Sequence, residues 1–329
     1  MRKKIVVFAT SFMDELLTHP DGEGRPAKEL QEAAERNCLD LEFRCNRNPA
    51  EPLSFKEVEG VVAAIADLEL WKRDLLEKAG KDRGGDLGIL ARYGIGYNNI
   101  DTVAAREAGV HVTNTPGASA APTAEWTVST LLDVAGRRIP HHARAGKGLT
   151  KSGASRLDVS GKTLGIIGTG NIGKQVAALL SGFNMKIIAA DLMQDTEWAA
   201  ANGVEYVDLP EVCERADFIT LHASGGSLLL GADEIARMQP TTVLVNCARG
   251  ALVDNRAAYE AVRTGRLYGY GIDEVWDYED LPLTDVLNIA ASPHVGSDSD
   301  MGKLRMQQMS AQAIIDYVDG KEPQHIVNK

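Results

Sequence analysis

What most limits the folds open to this chain is a repeating alternation of short β-rich runs, each followed by a segment of helical character, that persists almost to the C-terminus. The predicted strands are 4–9, 39–44, 61–66, 87–91, 110–114, 163–168, 186–191, 217–222, 242–247, 269–273 and 288–291. Helices are predicted over 27–36, 71–79, 120–137, 172–181, 232–238, 255–264 and 300–319. Such alternation builds parallel sheets, because each return to a parallel neighbour needs a crossover that a helix supplies. Many strands are apolar on successive residues, as in Gly165-Ile166-Ile167-Gly168 and Val243-Leu244-Val245, so helices are expected over both sheet faces. A length of 329 residues suits about two domains. The expected division is 1–100 and 101–300, with no Pro/Gly/Ser-rich linker between them.

Charge and composition narrow the partners. Hydrophobic residues make up 44% and charged residues 25%, as in ordinary folded proteins. With 35 basic and 46 acidic residues the net charge is −11, which opposes nucleic-acid phosphates and anionic lipid, so neither partner is expected. The longest apolar runs fall well short of the roughly 18 residues of a membrane span. The start, Met1-Arg2-Lys3-Lys4 before Ile5-Val6-Val7-Phe8-Ala9, mimics a secretion signal, but the run stops before Asp14-Glu15 and no cleavage site follows, so it reads as a strand. Cysteines 38, 45, 213 and 247 form no CxxC pair and have no histidine at metal-ligand spacing. No metal site is expected, and the setting reads as reduced and cytoplasmic.

The strongest local signal is Leu164-Gly-Ile-Ile-Gly168-Thr-Gly170-Asn171-Ile172-Gly173, a strand running through GxGxxG into a helix. Gly168 is expected to allow the tight turn, Gly170 to admit a pyrophosphate against the backbone, and Gly173 to let helix and strand pack closely. Asn171 and Ile172 open the helix whose N-terminus would face the phosphates. The next strand ends in Asp191, 18 residues past the third glycine, where an acid can bond ribose hydroxyls and repel a 2′-phosphate, favouring NAD over NADP. The expected fold is therefore α/β, with two Rossmann-like doubly wound parallel-sheet domains and the cleft between them.

Further motifs follow in a fixed order. They are Ala91-Arg-Tyr93-Gly94-Ile95-Gly96 leading to Asp101, Asn114-Thr-Pro116-Gly117 with Thr123-Ala-Glu125, Asn246-Cys-Ala248-Arg249-Gly250, Gly271-Ile-Asp273 and Ser292-Pro293-His294-Val-Gly296. With GTGNIG they make the chain resemble the D-isomer-specific 2-hydroxyacid dehydrogenase family, phosphoglycerate dehydrogenase-like, from about residue 60 onward. The resemblance implies an NAD-dependent dehydrogenase acting on a small 2-hydroxy or 2-oxo acid, a homodimer, and a C-terminal helix in 301–329 that returns to the first domain. It places the substrate carboxylate on the backbone of Ile95 and Gly96, His222 and Ala248 along the cofactor, and Asp273 near the nicotinamide amide.

Arg249 follows a strand at its carboxyl end, where a guanidinium can hold a carboxylate bidentately and polarise a carbonyl. His294 also follows a strand, and an imidazole titrates in the range that proton exchange with a carbonyl oxygen needs. The family pairs this histidine with an acid after Asp273. A gapless count from Asp273 reaches Tyr278, one inserted residue restores Glu279, and Asp277 is the alternative. The loop Ala66-Asp67-Leu68-Glu69-Leu70 carries two acids where phosphate-specific members carry a basic residue, pointing to a polar, unphosphorylated substrate. A non-catalytic NAD(H)-sensing regulator on the same fold is the rival reading.

Overall fold

The computed structural model describes residues 2–9, 12, 26–45, 48, 51–149, 154–274, 280–284 and 287–329. The chain divides into two units, Met1–Ser119 with Asp300–Lys329, and Ala120–Ser299.

In the first unit, strands β1 (Lys4–Val7), β2 (Asp40–Phe43), β3 (Val61–Ala66), β4 (Ile89–Arg92) and β5 (His111–Thr113) form a parallel sheet in the order β2-β1-β3-β4-β5. Because side chains alternate across a strand, Val6, Ala64, Leu90 and Val112 enter one core while Ile5, Ala63, Ile65 and Ile89 enter another. The first core is closed by Trp71, Leu76 and Ala104, the second by Leu30 and Ala33 of helix Pro26–Arg36 and by Ala311 and Ile314 of helix Asp300–Val318. The last helix is thus built into the first unit's core. Ile314 is fully buried there, and cutting it to alanine is expected to cost about 2–5 kcal/mol.

The second unit has β6 (Thr163–Ile167), β7 (Lys186–Ala190), β8 (Val204–Tyr206), β9 (Phe218–Leu221), β10 (Val243–Asn246), β11 (Gly269–Asp273) and β12 (Ile289–Ser292), all parallel, in the order β12-β11-β10-β9-β6-β7-β8. The chain winds outward from β6 through β7 and β8, then returns to place β9 on β6's other side. This reversal leaves a crevice at the carboxyl ends of β6 and β9, the usual ligand position in open α/β sheets. Ile166, Val243 and Val245 serve one face and Ile167, Leu221 and Leu244 the other, so the successive apolar residues are accounted for by two-sided cover.

The structure corrects two expectations and adds a strand. The boundary lies after Ser119, not near residue 100, because β5 hydrogen-bonds to β4 and Ala104 and Ala105 of helix Thr102–Glu107 belong to the first core. A short edge strand, β8, was not anticipated, having only three residues and no fully buried face. The segment expected as one helix over 120–137 stops at Ala135, where Arg137 turns left-handed at φ +49° and a second helix, Arg138–Gly146, begins. Among the described residues no helix is long and apolar enough to cross a membrane.

Candidate active site

The glycines of the β6 loop divide their work as their surroundings dictate. Gly168 has φ +96°, and a Cβ there would lie 2.7 Å from the backbone of His222 and Ala223. Gly173 brings helix Asn171–Leu179 so close that a Cβ would lie 2.1 Å from the Gly168 carbonyl. Gly170, the N-cap of that helix, has open space in front of its Cα, the cradle a pyrophosphate needs.

Asp191 follows β7 beside this loop. Its Oδ2 accepts from the Thr169 N–H and from Thr169 Oγ1 at 2.9 Å, and its Oδ1 accepts from the Met193 N–H at 2.9 Å. Partial burial opposes ionisation, but the donors of Met193 and Thr169 outweigh it and hold the carboxyl below the ordinary range. Across the crevice, His222 follows β9 and donates its N–H to the Ile167 carbonyl at 2.7 Å. Both its ring nitrogens are buried without a partner among the described residues. Burial pushes this imidazole down to about 3, so it is neutral. Two orphaned ring nitrogens beside an open glycine cradle fit a site completed by a polar ligand such as a dinucleotide.

Arg249, Asp273 and His294 stand at or just past the carboxyl ends of adjacent strands β10, β11 and β12. Asn246 braces the Arg249 turn, its Nδ2 donating to the Arg249 carbonyl at 2.8 Å and its Oδ1 accepting from the Ala248 N–H at 3.1 Å. Arg249 itself is half-buried and donates through Nη1 to the Ala248 carbonyl at 2.7 Å. Asp273 and Ser292 are register partners on β11 and β12, which sets the Asp273 carboxylate against the loop that starts at Pro293. That carboxylate accepts from Ser292 Oγ at 2.7 Å, from the Val295 N–H at 2.8 Å and from the Gly296 N–H at 2.6 Å. Trp126 Nε1 donates to Ser292 Oγ at 3.2 Å. Between those anchors His294 is held at φ +60°, a left-handed conformation that is uncommon for a residue with a Cβ. Its Nδ1 lies 3.3 Å from Glu274 Oε1, and the side chain is half-exposed.

Sequence reading did not single out Thr169, Tyr206, Asn246, Ser292, Trp126 or Glu274. Thr169, Asn246 and Ser292 sit inside quoted motifs, but a hydroxyl or amide in a motif carries no signal of its partner. Asp277 and Glu279 lie outside the described residues.

In the first unit, the loop after β4 turns at Gly94 with φ +133°, and Asn114 Nδ2 donates to the Ile95 carbonyl at 2.9 Å. Among the described residues no acceptor engages the N–H groups of Ile95 and Gly96. The neighbouring Asp67 is pushed up to about 6, chiefly by burial, with the Arg92 guanidinium at 3.6 Å pulling it back and Glu69 pushing it further up. Buried Glu69 accepts from the Asp67 N–H at 2.9 Å, and Asn99 Nδ2 donates to the carbonyls of Asp67 and Glu69.

A reversal of strand order with a glycine cradle at its mouth, and Arg and His on the adjoining strand ends, defines a dinucleotide-dependent oxidoreductase. Residues 128–296 match the family model described as D-isomer specific 2-hydroxyacid dehydrogenase, NAD binding domain. The chain is 32% identical over 316 residues to a glyoxylate reductase of Korarchaeum cryptofilum, covering 92% of this chain and 93% of that one. It is 37% identical over 268 residues to a D-3-phosphoglycerate dehydrogenase of Methanocaldococcus jannaschii, covering 78% of this chain and 49% of that protein. Apo D-lactate dehydrogenase from Escherichia coli superposes with a TM-score of 0.80 at 25% identity, over 99% of each chain. The chain belongs to the D-isomer specific 2-hydroxyacid dehydrogenase family. It is an NAD-dependent enzyme of D-2-hydroxy acid oxidoreduction.

Proposed function

We propose that the enzyme interconverts a D-2-hydroxy acid and its 2-oxo acid with His294 exchanging the proton, Arg249 anchoring carboxylate and carbonyl, and the N–H groups of Ile95 and Gly96 holding the carboxylate. The observation that carries this reading is the His294 loop, where an imidazole is kept in a left-handed backbone by three hydrogen bonds to Asp273 and left half-exposed. When bound, NAD supplies or accepts the hydride. In reduction, protonated His294 gives its proton to the substrate's carbonyl oxygen; in oxidation, the neutral ring takes a proton from the hydroxyl. Arg249 offers a planar fork to the carboxylate and draws electron density from the adjacent carbonyl. By resemblance the N–H groups of Ile95 and Gly96, which no acceptor engages among the described residues, suit a carboxylate. Gly168, Gly170, Asn171, Ile172, Gly173, Asp191, His222, Ala248 and Asp273 are assigned to the cofactor side.

By resemblance Glu279 is the acid that pairs with His294. A second reading, Glu274, is favoured by its 3.3 Å contact with Nδ1. Whichever acid fills this role, its change to Gln should lower turnover while NADH binding persists, because the ring loses the partner that orients it. The other variant should leave turnover in place.

The half-buried Asp67 and the buried Glu69 support a polar, unphosphorylated substrate. NADH oxidation across a panel of 2-oxo acids tests the whole reading. Turnover of at least one is expected, and NADH binding without any turnover would favour the NAD(H)-sensing regulator. We further propose a cytoplasmic homodimer, with light scattering as the check on the dimer.

A further inference from the structure

Thr169 is buried at 4% exposure, yet it is polar and lies inside the glycine loop, where a small apolar residue would fill the same space. Its hydroxyl touches two partners, Asp191 Oδ2 at 2.9 Å and the Tyr206 hydroxyl at 2.7 Å. The Tyr206 hydroxyl in turn accepts from the Asp195 N–H at 3.1 Å. The direction of every proton in this chain follows from the chemistry at its two ends. An ionised carboxylate only accepts, so the Thr169 proton points to Asp191. Thr169 must then accept the Tyr206 proton, and Tyr206 is free to give it because its own oxygen is filled by the Asp195 amide.

The run Asp195 N–H to Tyr206 to Thr169 to Asp191 links the loop after β6, the residues after β7 and the edge strand β8. At its end Oδ2 has two donors, and Oδ1 has Met193, so the carboxylate cannot rotate and keeps acceptor capacity on Oδ1. An acceptor fixed in this way matches a ribose hydroxyl, which donates. It opposes a phosphate, which at neutral pH brings only charge of the same sign.

We infer that Thr169 and Tyr206 are positioning residues for cofactor choice, setting the preference for NADH over NADPH by locking the orientation of the Asp191 carboxylate through this one-way hydrogen-bond chain. The inference rests on the assignment of Asp191 to the ribose.

Fluorescence titration of the full chain with NADH and with NADPH tests it. Thr169→Val keeps the shape and removes the hydroxyl; the ratio of the two dissociation constants should fall about tenfold, mostly through weaker NADH binding. Tyr206→Phe, which leaves Thr169 in place, should lower the ratio about two- to threefold, and Thr169→Ser should restore it. Tyr206→Phe also keeps the test open where Thr169→Val fails to fold. If Asp191→Ala abolishes the preference while Thr169→Val and Tyr206→Phe retain it, the chain of hydroxyls is not the determinant and the inference is overturned. If Asp191→Ala itself leaves the preference intact, the ribose assignment falls and takes this inference with it.

Discussion

The two sheets share an architecture and differ at the point where each reverses its winding. Both are parallel and packed on both faces, and both place their first strand beside a later one, β1 beside β3 and β6 beside β9. At the second reversal the residues just past the strand ends carry no ionised side chain: Gly168 follows β6 and neutral His222 follows β9. At the first, the loop after β3 is filled by Asp67 and Glu69, tied down by Arg92 and Asn99. A glycine loop with open space before Gly170 suits a pyrophosphate, whereas a loop filled with acids opposes one. Two parallel sheets that each reverse their winding thus present different chemistry through their loops.

If chemistry belongs to the second sheet, His294→Ala gives the largest effect. Turnover should fall by about two to four decades while NADH binding, followed by fluorescence, persists. A loss of NADH binding in step with turnover would place His294 on the cofactor side.

Arg249→Lys comes next. An ammonium cannot supply the fork, so kcat/KM for a 2-oxo acid should drop about 10- to 100-fold, and full activity at unchanged KM would remove the bidentate role.

The glycine cradle makes a sharper contrast within one loop. Gly173→Ala puts a methyl against the Gly168 carbonyl and should destabilise the fold by about 1–3 kcal/mol. Gly170→Ala meets nothing in the protein and should melt like the parent while binding NADH more weakly. Equal melting losses in both would show that the space before Gly170 is structural.

The smallest effect probes the first sheet. Asp67 has a carboxyl raised to about 6 from an ordinary value of 3.8, so its protonated form favours folding; that stability is complete below pH 4 and is lost as pH rises through 6. Asp67→Asn should therefore be more stable than the parent at pH 7, by about 1–2 kcal/mol after allowing for its partial exposure, with the gain vanishing near pH 4. Denaturant titration at the two values measures it. A loss at pH 7 would mean that the Arg92 pair outweighs the cost of burial.

What the sequence determined by itself were features written in local order. Successive apolar residues identified central parallel strands, and the GTGNIG spacing located the dinucleotide loop, because backbone freedom at a turn is a property of the residue that occupies it. The placement of Arg249 and His294 just past strand ends was legible for a similar reason, each following a recognisable strand. Tertiary structure decided everything that depends on which strands become neighbours. In a parallel sheet every such pairing passes through a crossover, so partners are remote in sequence: Asp273 reaches the loop of His294, Tyr206 reaches Thr169, and Trp126 reaches Ser292. The domain boundary moved to Ser119 on the same ground, since whether β5 joins the first sheet depends on its hydrogen bonds to β4, and those bonds exist only once the sheet has formed.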